Sequence, residues 1–181
     1  DAAYTRAHAI VIPKVKLTLS IEKLSRLVVH ELFHILSRYN PAIRDQLYLA
    51  IGFKRCQDIE LPTDLPNRWI TNPDTPLNAY CIRIQHKRQP FWALPVFFSK
   101  NDQYDPKQAE TFFHYLQFRL LLVGTFGGDL HAGTFPHKLV KISQVSGFFE
   151  QVGKNTSYII HPEEIIAEHF LSLIHISEPT R

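Results

Sequence analysis

The sequence predicts an α+β fold in which helices flank a small, mostly antiparallel sheet. The first observation is a run of apolar residues at helical spacing over residues 21–39. The second is a pair of apolar runs, 79–86 and 91–99, whose composition favours strands joined by the polar turn HKRQ. The third is Pro162, which opens another helix late in the chain. Helices thus precede and follow the predicted strands.

The composition is that of a folded protein with little charge bias. Of 181 residues, 45% are hydrophobic and 20% are charged, and the formal net charge is +3. This length suits one domain with a sizeable core. Lysines and arginines are scattered along the chain, which argues against nucleic-acid binding, because such proteins concentrate basic residues on one face. The sequence also lacks an apolar run long enough to span a membrane.

The first helix is predicted to begin after Ser20, whose side chain suits an N-cap. Asn40 and Pro41 then end this helix and begin another, because asparagine caps helices and proline is favoured at the first helical position. The second helix is predicted to end near Gly52, a residue that readily adopts left-handed backbone angles. The apolar stripe of the first helix consists of Ile21, Leu24, Val28, Leu32, Ile35 and Tyr39.

Shorter patterns predict the rest of the chain. Residues 11–20 are expected to be extended because their apolar side chains partly alternate. The four prolines of residues 61–76 predict a long irregular connection. The apolar run 112–123 suits either a strand or a helix, and we favour a strand. Residues 124–133 have the glycine content of a loop, and 138–145 are expected to form a short strand or the start of a helix.

A HExxH motif, formed by His30, Glu31 and His34, lies within the first predicted helix. Two histidines four residues apart lie on one side of a helix, so both imidazoles can reach one metal ion. The glutamate between them can act on metal-bound water instead of binding the metal. On a helical projection the histidines share their side with Lys23 and Ser37, and the apolar stripe lies broadly opposite. We therefore expect the histidines to line a cleft and the stripe to anchor the helix in the core.

A zinc hydrolase needs a third protein ligand, with the fourth position left for water. Ser37 and Asn40 stand where one zinc-peptidase class has a glycine and a third histidine, so that class is excluded. Glu164 and Glu168 are better candidates, because they lie one turn apart on one face of the last helix. One carboxylate can bind the metal, and the other can accept a hydrogen bond from a ligand histidine. Other candidates for the third ligand are Glu163, His161, His131 and His137.

These two segments together resemble the gluzincin branch of the zincin metallopeptidases. In that branch a HExxH helix is completed by a glutamate that opens an ExxxD-type motif on a later helix. The resemblance implies a zincin-like fold in which His30, His34 and Glu164 bind Zn²⁺. It also implies that Glu31 is the general base and that Glu168 orients a ligand histidine. The sequence departs from the pattern because Glu168 replaces the usual aspartate and because the gap between the motifs is longer.

The function implied by the resemblance is a zinc-dependent metallopeptidase that cleaves a peptide or protein substrate with zinc-activated water. Endopeptidase and aminopeptidase action both remain open. An alternative is a zinc-stabilised binding or scaffolding module of the same fold without turnover. Such a module would not need Glu31, so the enzyme is the favoured interpretation.

Tyr158 and the glycine-rich loop are the remaining candidates for a functional role. Tyr158, just before the last helix, can hydrogen-bond a developing oxyanion, although we favour a tyrosine half-buried in the sheet. The loop at 124–133 lacks the Gly-Lys-Ser/Thr sequence of a phosphate-binding loop, which argues against a nucleotide site. A lid or a hairpin turn is the expected role of the loop.

Both ends of the chain are expected to be artificial. The sequence contains no methionine, so the natural start is expected to lie outside this fragment. The last eleven residues, LSLIHISEPTR, resemble the in-frame translation of a sequencing-library adapter. We therefore expect one catalytic domain over residues 1–170 and a non-native tail over residues 171–181. The compartment stays open, and Cys56 and Cys81 are expected to form either one disulfide or two buried thiols.

Overall fold

A computed structural model of the chain confirms the predicted α+β class, with four α-helices and antiparallel sheets in its described residues. Backbone contacts group the chain into two compact units. The first unit comprises Asp1–Ile51, Asn72–Pro76 and Lys154–Arg181, and the second comprises Gly52–Thr71 and Leu77–Gly153. The structure describes residues 2–56, 59, 68–75, 79–101, 103, 115–125 and 138–176.

The first unit begins with a short antiparallel hairpin, β1 (Tyr4–Arg6) and β2 (Ala9–Val11). A 3₁₀-helix, Lys14–Thr18, follows it. The expectation of an extended segment over residues 11–20 is therefore wrong for Lys14–Thr18, which is half of that segment. The N–H group of Lys16 donates to the carbonyl oxygen of Pro13 at 2.8 Å and closes a turn, whereas a strand would leave both groups for a neighbouring segment.

Helix α1 spans Ile21–Tyr39 and helix α2 spans Pro41–Ala50, as the sequence predicts. The side chain of Ser20 accepts a hydrogen bond from the N–H group of Lys23 at 3.4 Å, which confirms the predicted N-cap. Gly52, just past the end of α2, has a φ of +84°. Because left-handed backbone angles disfavour residues with a Cβ atom, glycine suits this position. The local sequence therefore accounts for the start of α1 and for the end of α2.

The second unit contains an antiparallel sheet whose described strands are β3 (Phe53–Arg55), β4 (Tyr80–His86), β5 (Gln89–Ser99), β6 (Leu116–Thr125), β7 (Lys138–Val140) and β8 (Val145–Ser146). The order across the sheet is β3-β4-β5-β6-β7, and β8 pairs with β4. Strands β4, β5 and β6 confirm the strands predicted at 79–86, 91–99 and 112–123. Parts of three predicted segments lie outside the described residues, namely 61–67 with 76, 112–114, and 126–133.

The connection between β4 and β5 is a two-residue turn in which Lys87 and Arg88 have φ values of +51° and +66°. Such turns match the twist of the strands that they join. The segment 138–145 combines both predicted outcomes, because a 3₁₀-helix, Ile142–Gln144, separates β7 from β8. No sequence pattern predicts β3 or a short helix, α3 (Phe148–Val152). These elements are too short to show a clear period.

Cys56 and Cys81 form a disulfide, with their Cα atoms 5.9 Å apart. This separation is typical of disulfides, and the first of the two expected alternatives is therefore the one observed. Both residues belong to a buried apolar cluster that also contains Leu94, Val96 and Leu121. The disulfide thus links the residue after β3 to β4 within the core of the second unit.

Helix α4, Pro162–Ile176, belongs to the first unit and begins where the sequence predicts. Glu163 and Glu164 lie in its first turn, where the helix dipole favours negative charge. The helix packs against α1, with the ring centroids of Phe33 and Phe170 5.3 Å apart. Because α4 continues past residue 170, the predicted boundary between domain and tail lies within a helix, and that boundary stays a prediction.

The buried side of α1 is the opposite of the one predicted. Three residues of the apolar stripe are exposed, with Ile21 at 85%, Leu32 at 49% and Tyr39 at 47%. The side with the histidines is buried instead, because it forms hydrogen bonds with the first-turn carboxylates of α4. Satisfied hydrogen bonds offset the cost of burying polar groups. The buried residues of α1 are Glu31, Phe33, His34 and Ser37.

Candidate metal centre

Helices α1 and α4 bring His30, His34 and Glu164 together, although 134 residues separate His30 from Glu164 in sequence. Nε2 of His30 lies 3.1 Å from Oε2 of Glu164, and Nε2 of His34 lies 3.7 Å from Oε1 of Glu164. One nitrogen or oxygen atom from each residue lies within 4.8 Å of the other two. All three side chains are largely buried. This group could hold a metal ion.

The spacing of these atoms is compatible with three ligands around one metal ion. Bonds of about 2.0 to 2.2 Å at tetrahedral angles place two ligand atoms roughly 3.3 to 3.6 Å apart. The two nitrogen–oxygen distances, 3.1 Å to Oε2 and 3.7 Å to Oε1 of Glu164, are close to that interval but involve different oxygens. Two imidazoles and one carboxylate are also a donor set that first-row divalent metals accept. The three residues therefore fit a divalent metal ion.

The second nitrogen of each histidine also meets a carboxylate. Nδ1 of His34 donates to Oε1 of Glu163 at 3.1 Å, and Nδ1 of His30 lies 3.3 Å from Oε1 of Glu168. When a carboxylate accepts the Nδ1 proton, the neutral imidazole keeps the Nε2 lone pair free for a metal. Both Nε2 atoms lie toward Glu164. The structure thus brings Glu168 to a histidine of the motif, where the sequence analysis expects it.

Glu163 is buried behind His34 and is not one of the three residues that could bind the ion. Its Oε2 accepts hydrogen bonds from the hydroxyl of Ser37, at 2.7 Å, and from the hydroxyl of Tyr48. Its backbone N–H donates to Nδ1 of His161 at 3.0 Å. These contacts hold the carboxylate in one orientation. The sequence offers Glu163 and His161 only as alternative ligands, whereas in the structure Glu163 contacts His34 and His161 contacts the backbone of Glu163.

The pKa values of His34 and Glu164 are shifted as expected for groups that interact strongly. Burial acts to lower the pKa of His34, but the hydrogen bond to Glu163 and the charge of Glu164 outweigh burial and raise it. Burial acts to raise the pKa of Glu164, but the hydrogen bond from His30 and the charges of both histidines lower it. The carboxylates therefore favour positive charge at this point, which a divalent ion would supply.

Glu31 is buried, with 4% of its surface exposed, and its Oε2 has no hydrogen-bond partner among the described residues. Burying a carboxylate oxygen without a hydrogen-bond partner costs free energy, and such groups are often found at functional sites. Burial raises the pKa of Glu31, while the charge of His34 lowers it and that of Asp74 raises it. One oxygen of Glu31 lies within 4.8 Å of a ring nitrogen of His34. Glu31 is thus placed to take a proton from a molecule bound beside His34.

Asp74 forms a second group with Glu31 and His34, in which the potential ligand atoms also lie within 4.8 Å of one another. Oδ1 of Asp74 already accepts hydrogen bonds from the N–H group of Thr5, at 2.7 Å, and from its hydroxyl. The guanidinium of Arg38 lies 3.8 Å from the same oxygen. Because this positive charge disfavours a cation, the second group fits a metal ion less well than the first.

The Asn72–Thr75 turn contributes residues to the site that sequence analysis missed. Nδ2 of Asn72 donates to Oε1 of Glu164 at 2.5 Å. Oδ1 of Asn72 accepts from the N–H group of Asp74 at 2.9 Å, and the N–H group of Thr75 donates to the carbonyl of Asn72 at 3.2 Å. The sequence Asn-Pro-Asp-Thr does indicate a turn. It carries no signal, however, for a contact with a residue 92 positions away.

Tyr158 lies in the segment before α4 and not in a strand, so the expectation of a tyrosine in the sheet is wrong. Its side chain is 43% exposed. Burial of its inner part raises the pKa of the hydroxyl, and the charges of Glu164 and Asp74 raise it further. The hydroxyl therefore stays protonated as a hydrogen-bond donor, and the charges of the candidate metal centre act on it.

His161 is a buried residue that caps α4. Its Nδ1 accepts from the N–H group of Glu163, and its carbonyl accepts from the N–H group of Ile165 at 3.2 Å. Burial lowers the pKa of His161 to about 4. Its role in the described structure is therefore that of a neutral cap. The two other candidate histidines, His131 and His137, lie outside the described residues.

No protein-family model, no curated protein and no solved structure matches this chain. Within the part of the chain that the structure describes, none of the helices has the length and hydropathy of a membrane span. The α+β class is compatible with many activities, because unrelated functions share folds. The geometry of the candidate metal centre is therefore the feature that bears on function.

Proposed function

We propose that this chain is a zinc-dependent hydrolase of the zincin type, and specifically a metallopeptidase. One observation carries the proposal, namely that each of the four ring nitrogens of His30 and His34 lies within 4 Å of a carboxylate oxygen. The Nε2 atoms share Glu164, while the Nδ1 atoms have separate carboxylates. Two histidines on a solvated helix face would not need this arrangement, whereas metal-binding histidines typically have it.

Zinc is the metal that this donor set suits best. Catalytic zinc is commonly held by three protein ligands, such as two histidines and a glutamate, with the fourth position left for water or substrate. His30, His34 and Glu164 would hold the ion in this way. When bound, zinc would lower the pKa of a water molecule and polarise a substrate carbonyl.

Glu31 is the proposed general base. It is buried beside His34, its Oε2 has no partner in the described part of the chain, and its pKa is raised chiefly by burial. A carboxylate with these properties can accept a proton from the attacking water and return it to a leaving group. The amine that leaves a peptide bond needs such a proton. This requirement, together with the resemblance to gluzincins, favours peptide hydrolysis over other hydrolytic reactions.

Cleavage of a broad peptide library by purified protein, supplied with zinc, tests the proposal. We expect cleavage by the wild type, loss of cleavage when a chelator removes the metal, and recovery when zinc is restored. Glu31→Gln should bind zinc as the wild type does and lose activity by at least about 100-fold, because general base catalysis contributes about that much. Glu22→Gln, at an exposed position of the same helix, is the matched control.

Two outcomes would overturn the proposal in different ways. Cleavage by Glu31→Gln at the wild-type rate would show that the assigned mechanism is wrong. Zinc binding by the wild type without cleavage of any library peptide would favour the non-catalytic binding module instead.

A further inference from the structure

The carboxylate of Glu164 has two oxygens, and both lie near histidine nitrogens. Oε2 is 3.1 Å from Nε2 of His30, and Oε1 is 3.7 Å from Nε2 of His34. A carboxylate in this position can bind a metal through one oxygen or through both. The choice matters because a zinc hydrolase needs an open position for water.

Asn72 contacts only one of these oxygens. Its Nδ2 donates to Oε1 of Glu164 at 2.5 Å. The orientation of the Asn72 amide is fixed by its other end, because Oδ1 accepts from the N–H group of Asp74 at 2.9 Å. A flipped amide would lose both contacts. Asn72 is therefore a donor whose direction toward Glu164 is set within its own turn.

The Asn72–Thr75 turn is also hydrogen-bonded to α1, the helix that carries the HExxH motif. Arg38 lies one helical turn after His34, and its guanidinium donates to the carbonyl oxygen of Asp74 at 2.9 Å. The same guanidinium donates to the hydroxyl of Thr5 at 2.6 Å and to the carbonyl of Ala7 at 2.9 Å. The position of Asn72 is thus coupled to α1, on which both metal-binding histidines lie.

We propose that Asn72 is a positioning residue of the metal centre, which holds Oε1 of Glu164 so that Oε2 is the ligand oxygen. The inference rests on the proposed function, since it requires a metal ion held by Glu164. A hydrogen bond to a ligating carboxylate restricts its rotation and typically strengthens metal binding. A hydrogen bond from Asn72 to Oε1 would favour binding of an ion through Oε2 alone, which would leave a further position on the ion for water.

Two measurements on the full chain test this role, namely zinc affinity by competition with a chelator and the visible absorption spectrum after cobalt substitution. Asn72→Ala removes the donor, and we expect about a 10- to 100-fold loss of zinc affinity. We also expect an altered cobalt spectrum, because the number of coordinating oxygens changes. Asn72→Asp keeps an acceptor for the N–H group of Asp74 but lacks the donor, so its cobalt spectrum should also change. Asn101→Ala, the same replacement at an exposed position outside this turn, should match the wild type in both measurements.

Each outcome bears on the inference separately from the proposed function. Wild-type zinc affinity and cobalt spectra in both Asn72 variants would overturn the role of Asn72 but would not contradict the proposed metal centre. Weaker binding with an unchanged cobalt spectrum would show that Asn72 only supports the fold, which also overturns the inference. A wild-type protein that binds neither metal would overturn this role together with the proposed function.

Discussion

Glu163 and His34 form a buried pair in which Oε1 of Glu163 lies 3.1 Å from Nδ1 of His34, and each side chain is only 1% exposed. The second oxygen of Glu163 accepts from the hydroxyls of Ser37 and Tyr48. A carboxylate this deeply buried is tolerated only when its hydrogen bonds are satisfied. The arrangement fixes the orientation of His34 and directs its Nε2 toward Glu164.

Replacement of Glu163 by glutamine should therefore weaken metal binding. The amide keeps the size of the side chain but removes the charge that holds the Nδ1 proton of His34. We expect zinc affinity to fall by about 10- to 100-fold, as is typical when a residue that orients a ligand histidine is changed. Competition with a chromophoric chelator measures the change, with the exposed Glu22→Gln as control. Equal affinities of wild type and Glu163→Gln would show that Glu163 does not orient the ligand.

Removal of the Tyr158 hydroxyl should slow catalysis without affecting the metal. The raised pKa of Tyr158 keeps its hydroxyl protonated, so it can donate to a developing oxyanion. Tyr158→Phe is expected to lower kcat by about 100- to 1,000-fold, with KM and zinc content unchanged. Tyr39→Phe, a 47% exposed tyrosine at the end of α1, is the control. An unchanged kcat would leave Tyr158 without a role in the reaction.

The stability of the protein should depend on pH through His161. Its pKa is about 4 in the folded chain and 6.5 as the reference value for the unfolded chain. Between these values the unfolded chain binds more protons, so stability is present above pH 6.5 and is lost as the pH falls toward 4. At 1.36 kcal/mol per pKa unit, the loss at pH 4.5 is about 2 to 3 kcal/mol.

Urea unfolding of wild type and His161→Asn at pH 7 and pH 4.5 measures this contribution. Asparagine keeps an N-cap but does not titrate in this range. A chelator in every sample keeps metal loss from contributing to the difference. The variant should lose about 2 to 3 kcal/mol less than the wild type between the two pH values. The same pH dependence in both proteins would contradict the buried, neutral state of His161.

Local sequence patterns were sufficient for the elements that carry the motif. The helical period, Ser20 and Pro41 predicted α1 and α2, and Pro162 predicted the start of α4. These signals depend on residues within one or two helical turns, so they can be read without knowledge of the fold. The spacing of Glu164 and Glu168 is also a local signal, because the two residues lie one helical turn apart.

The surroundings of the motif could not be predicted, because they depend on contacts between distant parts of the chain. Ser37 and Glu163 are 126 residues apart, and Asn72 and Glu164 are 92 apart. The apolar stripe of α1 also misled the prediction. The buried side of α1 bonds to the carboxylates of α4 and also contains Phe33, whereas half of the apolar stripe is exposed.

The metal content of purified protein tests the central claim most directly. Mass spectrometry of the metal in wild type, His34→Ala and Glu164→Ala should give about one zinc per chain in the wild type and little in either variant, because each variant removes a ligand. Retention of zinc by Glu164→Ala would place the third ligand elsewhere. A wild-type chain that holds no zinc, even when refolded with it, would contradict the metal centre itself.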